Sequence, residues 1–275
     1  VCRLCMIHKR LSPSIFFALP FLALSSGSVE EWGSDAITEE EMDWCLGLFS
    51  SPLPGMAISF TNRSQYFQPE WQEGTRTPAG MRVWGSLQDG TAHVTFRVAG
   101  HLDDVSVAGL VGALENLDGS ARRLWDSSCH ELSVVGKHGG DDLVRWTVDF
   151  PWPMSDREYL FRRKLRRCPD DTCAYAVSRT ATSAAPESDR PSVVRVRDWV
   201  QFSGVRARES GGVDLHLLYG NDMRGSVPSW IARIFASSML PQYLERLAAE
   251  ARRLTAAGTT ESASGSGNCS SSSSP

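Results

Sequence analysis

The side chains best suited to moving a proton near neutral pH are His93, His101, His130, His138 and His216. They are scattered, and no His-Glu-x-x-His helix sets two of them on one face to hold a metal. A serine nucleophile on a sharp turn would need a Gly-x-Ser-x-Gly elbow, which is absent from the folded region. His138-Gly139-Gly140 has the composition of an oxyanion loop, but no nucleophile motif accompanies it. No Gly-x4-Gly-Lys-Ser/Thr loop is present to cradle a nucleoside phosphate. A hydrolase with an unrecognised triad is therefore the competing function class, and no spacing argues for it. The seven cysteines, Cys2, Cys5, Cys45, Cys129, Cys168, Cys173 and Cys269, are odd in number and widely spread. That pattern argues against a dense disulfide framework and fits a reducing compartment. The close pairs Cys2-x2-Cys5 and Cys168-x4-Cys173 have no second pair at zinc-site spacing, so neither a structural metal nor a redox cofactor is expected.

Other residues suit non-covalent contacts. Nine tryptophans are many for 275 residues, and such clusters mark aromatic pockets or large cores. Arg122 and Asp126 stand four apart and would meet on a helical segment. Taken alone they read equally well as a solvated ion pair, and Trp146 and Trp199, on strand-like stretches, read as core residues. The run Arg157, Arg162, Arg163, Lys164, Arg166, Arg167 reads as the wet face of an antiparallel strand, with attraction to an anionic membrane as the sharper alternative. Net charge is −4, from 28 basic and 32 acidic residues, so bulk electrostatics do not point to nucleic acid.

The elements that must position these residues follow from periodicity. Residues 1–35 form a targeting-like or poorly defined segment: Lys9 and Arg10 precede an apolar run from Ile15 to Leu24, too short to span a bilayer comfortably. Residues 258–275 are Ser/Gly/Thr-rich and are expected to be disordered, which leaves 36–257 as the folded domain. Thr38 to Phe49 reads as a helix, with Thr38 and Glu41 spaced as a capping box. Ser50 to Glu73 reads as irregular. Strand-like alternation begins near Met81 and includes Val94, Phe96 and Val98; a helix from Asp103 or Asp104 carries Val107, Leu110, Val111, Leu114 and Leu117. Further strands are expected at 144–150, 159–165, 175–179, 193–202 and 213–219. The last element is a long helix starting near Ser226 and Pro228, with a broad apolar face and an expected kink at Pro241. The order predicts an α+β fold: an antiparallel sheet with one long terminal helix packed across it. A curved sheet closed by such a helix leaves a cavity.

Residues 144–159 read VRWTVDFPWPMSDREY, and the segment Pro-Trp-Pro-Met-Ser-Asp-Arg-Glu-Tyr resembles the signature of START lipid-transfer domains. RRLWD at 122–126, SVVRVRDWVQ at 192–201 and GSVPSWIARIFASSMLPQYL at 225–244 agree with the same family in order. The resemblance implies a helix-grip fold, a deeply curved antiparallel sheet closed by the C-terminal helix around one lipid. Within the family the likeness is greatest to members that carry phosphatidylcholine, whose aromatic cage and Arg–Asp pair can be carried over position by position. The cage falls on Trp146, Tyr159 and Trp199, and the phosphate-binding pair on Arg122 and Asp126. At Trp199 the family pattern has a tyrosine, so the ring face is kept and a hydroxyl is lost. The resemblance also implies that Trp230, Ile234, Phe235, Met239 and Tyr243 line the cavity from a lid helix.

Physical logic supports that set of residue types. A quaternary ammonium has no N–H to donate, so aromatic faces must select it, at ~0.5–2 kcal/mol each. A phosphate calls for the planar, permanently charged guanidinium of Arg122. The function implied is non-covalent transfer of one glycerophospholipid, foremost phosphatidylcholine, with no enzymatic step and no cofactor. Its partners would be the phospholipid ligand and, transiently, a membrane surface; no protein partner is legible. The alternatives are a lipid sensor, or a carrier of ceramide or sterol. The compartment expected is the cytoplasm, or the secretory pathway or an organelle if residues 1–28 are a targeting peptide.

Overall fold

The computed structural model describes residues 36–47, 72–87, 93–152, 154–181, 190, 192–222 and 234–265. In chain order these form α1 (Glu39–Gly47), β1 (Gln72–Arg76), β2 (Arg82–Leu87), β3 (His93–Leu102), α2 (Val107–Leu114) and α3 (Gly119–Arg123). There follow β4 (Cys129–His138), β5 (Asp141–Val148), β6 (Asp156–Arg167), β7 (Cys173–Thr180), β8 (Val193–Val196), β9 (Trp199–Ala207) and β10 (Val213–Asp222). A π-helical turn over Phe235–Met239 leads into α4 (Leu240–Gly265).

The strands make one sheet in the order β1-β2-β3-β10-β9-β7-β6-β5-β4, with every neighbour antiparallel; β8 lies off this path and pairs in parallel with β6. α2 and α4 cover one face. Leu110, Val111 and Leu114 of α2 and Leu244, Leu247, Ala248 and Ala251 of α4 pack with Val98, Val205, Val213 and Leu215 of the strands. α1 packs on the other face, where Met42 and Cys45 meet Cys173, Tyr175 and Val177. Alternation along β7 explains both contacts, because Ala174 joins the α2/α4 core while its neighbours Cys173 and Tyr175 face α1. This is the helix-grip arrangement that the sequence implied.

Local chemistry fixes the helix starts. Thr38 and Glu41 form the expected capping box: the Thr38 N–H donates to Glu41 Oε2 at 2.7 Å and the Glu41 N–H to Thr38 Oγ1 at 3.2 Å. Ser106 caps α2 through Gly109, and Asp118 caps α3 through Ser120 and Ala121. The bend expected at Pro241 is met by the π-helical turn just before it, which suits a residue with no N–H to continue the ladder. The start of that helix near Ser226 and Pro228 lies outside the described residues, and α4 runs to Gly265, past residue 257.

Three expectations change. The single strand over 193–202 is two: β8 pairs with β6, and β9 crosses to pair with β7 and β10. Val196 and Trp199 are both buried in one cluster, although three residues apart, which unbroken alternation cannot give. β4 and β1 carry no clear alternation in the sequence. β4 carries two register irregularities that break its period, and β1 is a polar edge strand. The basic run is a wet face only at its far end: Lys164 and Arg166 are part-exposed and Arg167 is exposed, whereas Arg157, Arg162 and Arg163 are buried. β6 has neighbours on both sides and its faces are covered, so these arginines need partners. Arg163 Nε meets Glu115 Oε2 at 2.9 Å, and the Ser203 hydroxyl donates to Glu115 Oε1 at 2.5 Å. Cys168 and Cys173 are joined by a disulfide across the β6–β7 turn, a local link rather than a framework.

Candidate functional site

Strand pairing assembles the aromatic residues. Trp146 on β5 lies directly opposite Tyr159 on β6, with ring centroids 5.3 Å apart. The β8-to-β9 crossover carries the chain from beside β6 to beside β7 and sets Trp199 5.7 Å from Tyr159 and 4.6 Å from Phe161. Trp199 is only 3% exposed. Its indole N–H finds no acceptor among the described residues, so the site offers a ring face and not a satisfied polar network. Tyr219 of β10 adds a ring that the sequence reading passed over as strand alternation. It stands 6.1 Å from Trp199, and its hydroxyl is 3.4 Å from that of Tyr159. The parity of Leu215, Leu217 and Tyr219 was the available signal, since it sends all three to the α2/α4 side of the sheet.

The Arg–Asp pair sits against this cluster. The short α3, capped by Asp118, presents Arg122 inward. Its Nε donates to Asp126 Oδ2 at 3.0 Å, Nη1 to the Leu114 carbonyl at 3.1 Å, and Nη2 to the Tyr243 hydroxyl at 2.8 Å. The guanidinium carbon lies 4.4 Å from the Trp125 ring centroid, 5.6 Å from Tyr243 and 6.0 Å from Trp146. Arg122 is 7% exposed and Asp126 not at all. The carboxylate is fully engaged, because its other oxygen accepts from the Ser128 N–H and hydroxyl. Burial works against the Arg122 charge, and Tyr243 and Asp126 outweigh it, so the guanidinium is held above its ordinary pKa. A buried cation without such a counter-ion would cost several kcal/mol, roughly. Three of the five guanidinium N–H groups are used by the protein, which leaves donors for an anion.

The structure thus brings together Arg122, Asp126, Trp146, Tyr159, Trp199 and, from the lid set, Tyr243. Phe235 lies with Phe96, ring centroids 5.0 Å apart, in an apolar cluster with Val94, Phe150, Met154, Tyr219 and Leu240. Met239 is half-buried and Ile234 is 45% exposed, so Ile234 does not line the interior. Trp230 lies outside the described residues. Among the described residues no cluster of three or more His, Cys, Asp or Glu could hold a metal ion. Chemically, the arrangement offers ring faces for a cation, a charged fork for an anion and apolar walls for hydrocarbon.

Comparison with known proteins places the family and the fold. The START domain family matches residues 60–257. Human phosphatidylcholine transfer protein is 26% identical over 208 residues, covering 75% of this chain and 95% of that protein. Mouse StAR-related lipid transfer protein 7, mitochondrial, is 26% identical over 262 residues, covering 87% of this chain and 69% of that protein. The crystal structure of human STARD10 superposes with a TM-score of 0.61 at 14% identity, over 84% of this chain and 86% of that one, which shows a shared fold. The sheet, the closing helix and the family match lead to one conclusion: this chain belongs to the START domain family of lipid-transfer proteins.

Proposed function

We propose that this chain carries one phosphatidylcholine molecule at a time between membranes by non-covalent exchange. The observation that carries the reading is the contiguity of Trp146, Tyr159 and Trp199 with the buried Arg122–Asp126 pair. The rings take the choline, Arg122 takes the phosphate while Asp126 holds its charge and orientation, and the acyl chains lie against the apolar cluster around Phe96 and Phe235. Each CH2 moved from water into such walls gains ~0.8 kcal/mol. The name of the human relative, phosphatidylcholine transfer protein, supports this lipid, and that of the mouse relative, StAR-related lipid transfer protein 7, mitochondrial, supports lipid transfer. A sterol has no cation to occupy the rings, and ceramide has no phosphate for Arg122.

Exchange needs a bilayer contact. Trp152 is 92% exposed, on the loop whose Phe150 and Met154 pack with Phe235 at the start of the terminal helix. An exposed indole at that point suits the membrane interface, where tryptophan is enriched. The terminal helix then swings away to open the interior. No bond to the lipid is made or broken, and no cofactor is needed. Among the described residues no helix is long and apolar enough to cross a membrane.

Transfer between vesicles tests the reading. Labelled phosphatidylcholine should move from donor to acceptor vesicles, and phosphatidylethanolamine with the same tails should move more slowly. Equal rates for the two, or movement of sterol alone, would remove the choline assignment.

A further inference from the structure

We propose that Tyr243 is a direct ligand of the headgroup phosphate, so that the terminal helix supplies part of the headgroup site as well as the lid. The inference deepens the phospholipid reading above and rests on it. The Tyr243 oxygen accepts from Arg122 Nη2 at 2.8 Å, so its own hydrogen points elsewhere. Among the described residues no acceptor is placed for that hydrogen. The ring is held by Trp125, with centroids 5.7 Å apart, and by the Arg122 guanidinium at 5.6 Å, which fixes the hydroxyl beside the charged fork. Arg122 commits Nε to Asp126 and one Nη1 hydrogen to the Leu114 carbonyl. An anion approaching its remaining donors therefore comes within reach of the phenol hydrogen. Burial pushes the phenol above its ordinary pKa of 10.0, with Arg122 opposing in part, so the group remains a protonated donor throughout the physiological range.

The arrangement has a consequence for exchange. Tyr243 stands on α4, four residues after the π-helical turn ends at Met239. When phosphate occupies the site, it ties the closing helix to the headgroup through Tyr243. Opening the helix to release lipid then breaks a headgroup contact, and headgroup loss loosens the helix.

The test compares two lipids with the same tails, a short-chain phosphatidylcholine and the corresponding diacylglycerol, bound to wild-type protein and to Tyr243→Phe. Phenylalanine keeps the ring against Trp125 and deletes only the hydroxyl. The expected result is a loss of about tenfold or more in phosphatidylcholine affinity, the scale of one hydrogen bond to a charged group. Diacylglycerol affinity should be unchanged. An equal loss for both lipids would make Tyr243 a packing residue and overturn the proposal, as would no loss for either. Wild-type protein that binds diacylglycerol but no phosphatidylcholine would overturn the parent reading itself, an outcome distinct from an unaffected Tyr243→Phe variant.

Discussion

Arg122 and Glu115 show how buried charge divides between function and architecture. Arg122 keeps donors free and stands 6.0 Å from the Trp146 ring, so Arg122→Ala should remove the phosphate contact. The variant should lose tenfold or more in phosphatidylcholine transfer, since a charged hydrogen bond is worth ~1.5–3 kcal/mol. It also strands Asp126 in the interior, so Arg122→Lys, which keeps the charge but loses the fork, is the cleaner comparison and should fall between the two in a vesicle assay. Glu115 behaves differently. Both its carboxylate oxygens are taken, by Arg163 and Ser203, and Arg163 also bonds the Glu115 carbonyl. Removing one partner of a buried pair costs ~3–5 kcal/mol, and the 3.5 Å contact of Arg163 with Asp142 places Glu115→Ala near the lower end. Urea unfolding measures this, and an undiminished midpoint would mean that the trio adds no stability. His216 gives a pH dependence. Burial, with nearby Arg97 adding to it, lowers its pKa below the ordinary 6.5. The unfolded chain then binds this proton more readily than the folded one, so stability is full above about pH 6.5 and declines as pH falls below it. His216→Gln should flatten that decline in a thermal melt run between pH 7.5 and about pH 5.

At the scale of elements, the packing of α2 on α4 and the β8-to-β9 crossover matter most. A Cβ on Gly109 would lie 2.1 Å from Thr255 Oγ1 and 2.7 Å from the Ala251 carbonyl. Alanine improves helix propensity by ~1 kcal/mol. Overpacking against a backbone atom that cannot rotate away costs ~1–3 kcal/mol, so the clash outweighs the gain. Gly109→Ala should lower the melting temperature; a rise would show that the two helices separate freely. How much of this was legible divides along periodicity. α1 could be read because Thr38 and Glu41 carry a capping signature, and α2 and α4 because their apolar stripes are regular. β4 could not be read because its irregular register hides the alternation, and the break between Val196 and Trp199 is visible only in the way β6 and β7 receive the two halves. Arg157, Arg162 and Arg163 misled for a related reason: a charged strand reads as solvated until the elements covering it are known.

At the scale of the molecule, the sheet brings residues more than fifty positions apart, such as Trp146 and Trp199, into one aromatic wall. Composition alone offered core tryptophans and a surface ion pair. The family likeness named Trp146, Tyr159, Trp199, Arg122 and Asp126 as a set, and the geometry gathers them. The Glu115–Arg163–Ser203 trio and the bond that Arg122 donates to the Tyr243 hydroxyl were not legible, because each joins distant elements without a local pattern. In the proposed reading the headgroup site is held from the sheet, from α3 and from the closing helix together. Replacing Trp199 by Leu should cost ~0.5–2 kcal/mol of choline affinity, about two- to thirtyfold in binding, while Trp199→Tyr should retain it. The most direct measurement of the central claim is native mass spectrometry of the intact chain purified from cells. The account predicts a one-to-one adduct with the mass of phosphatidylcholine, reduced in Trp146→Leu. A sterol adduct, or a choline-lipid adduct undiminished in that variant, would contradict it.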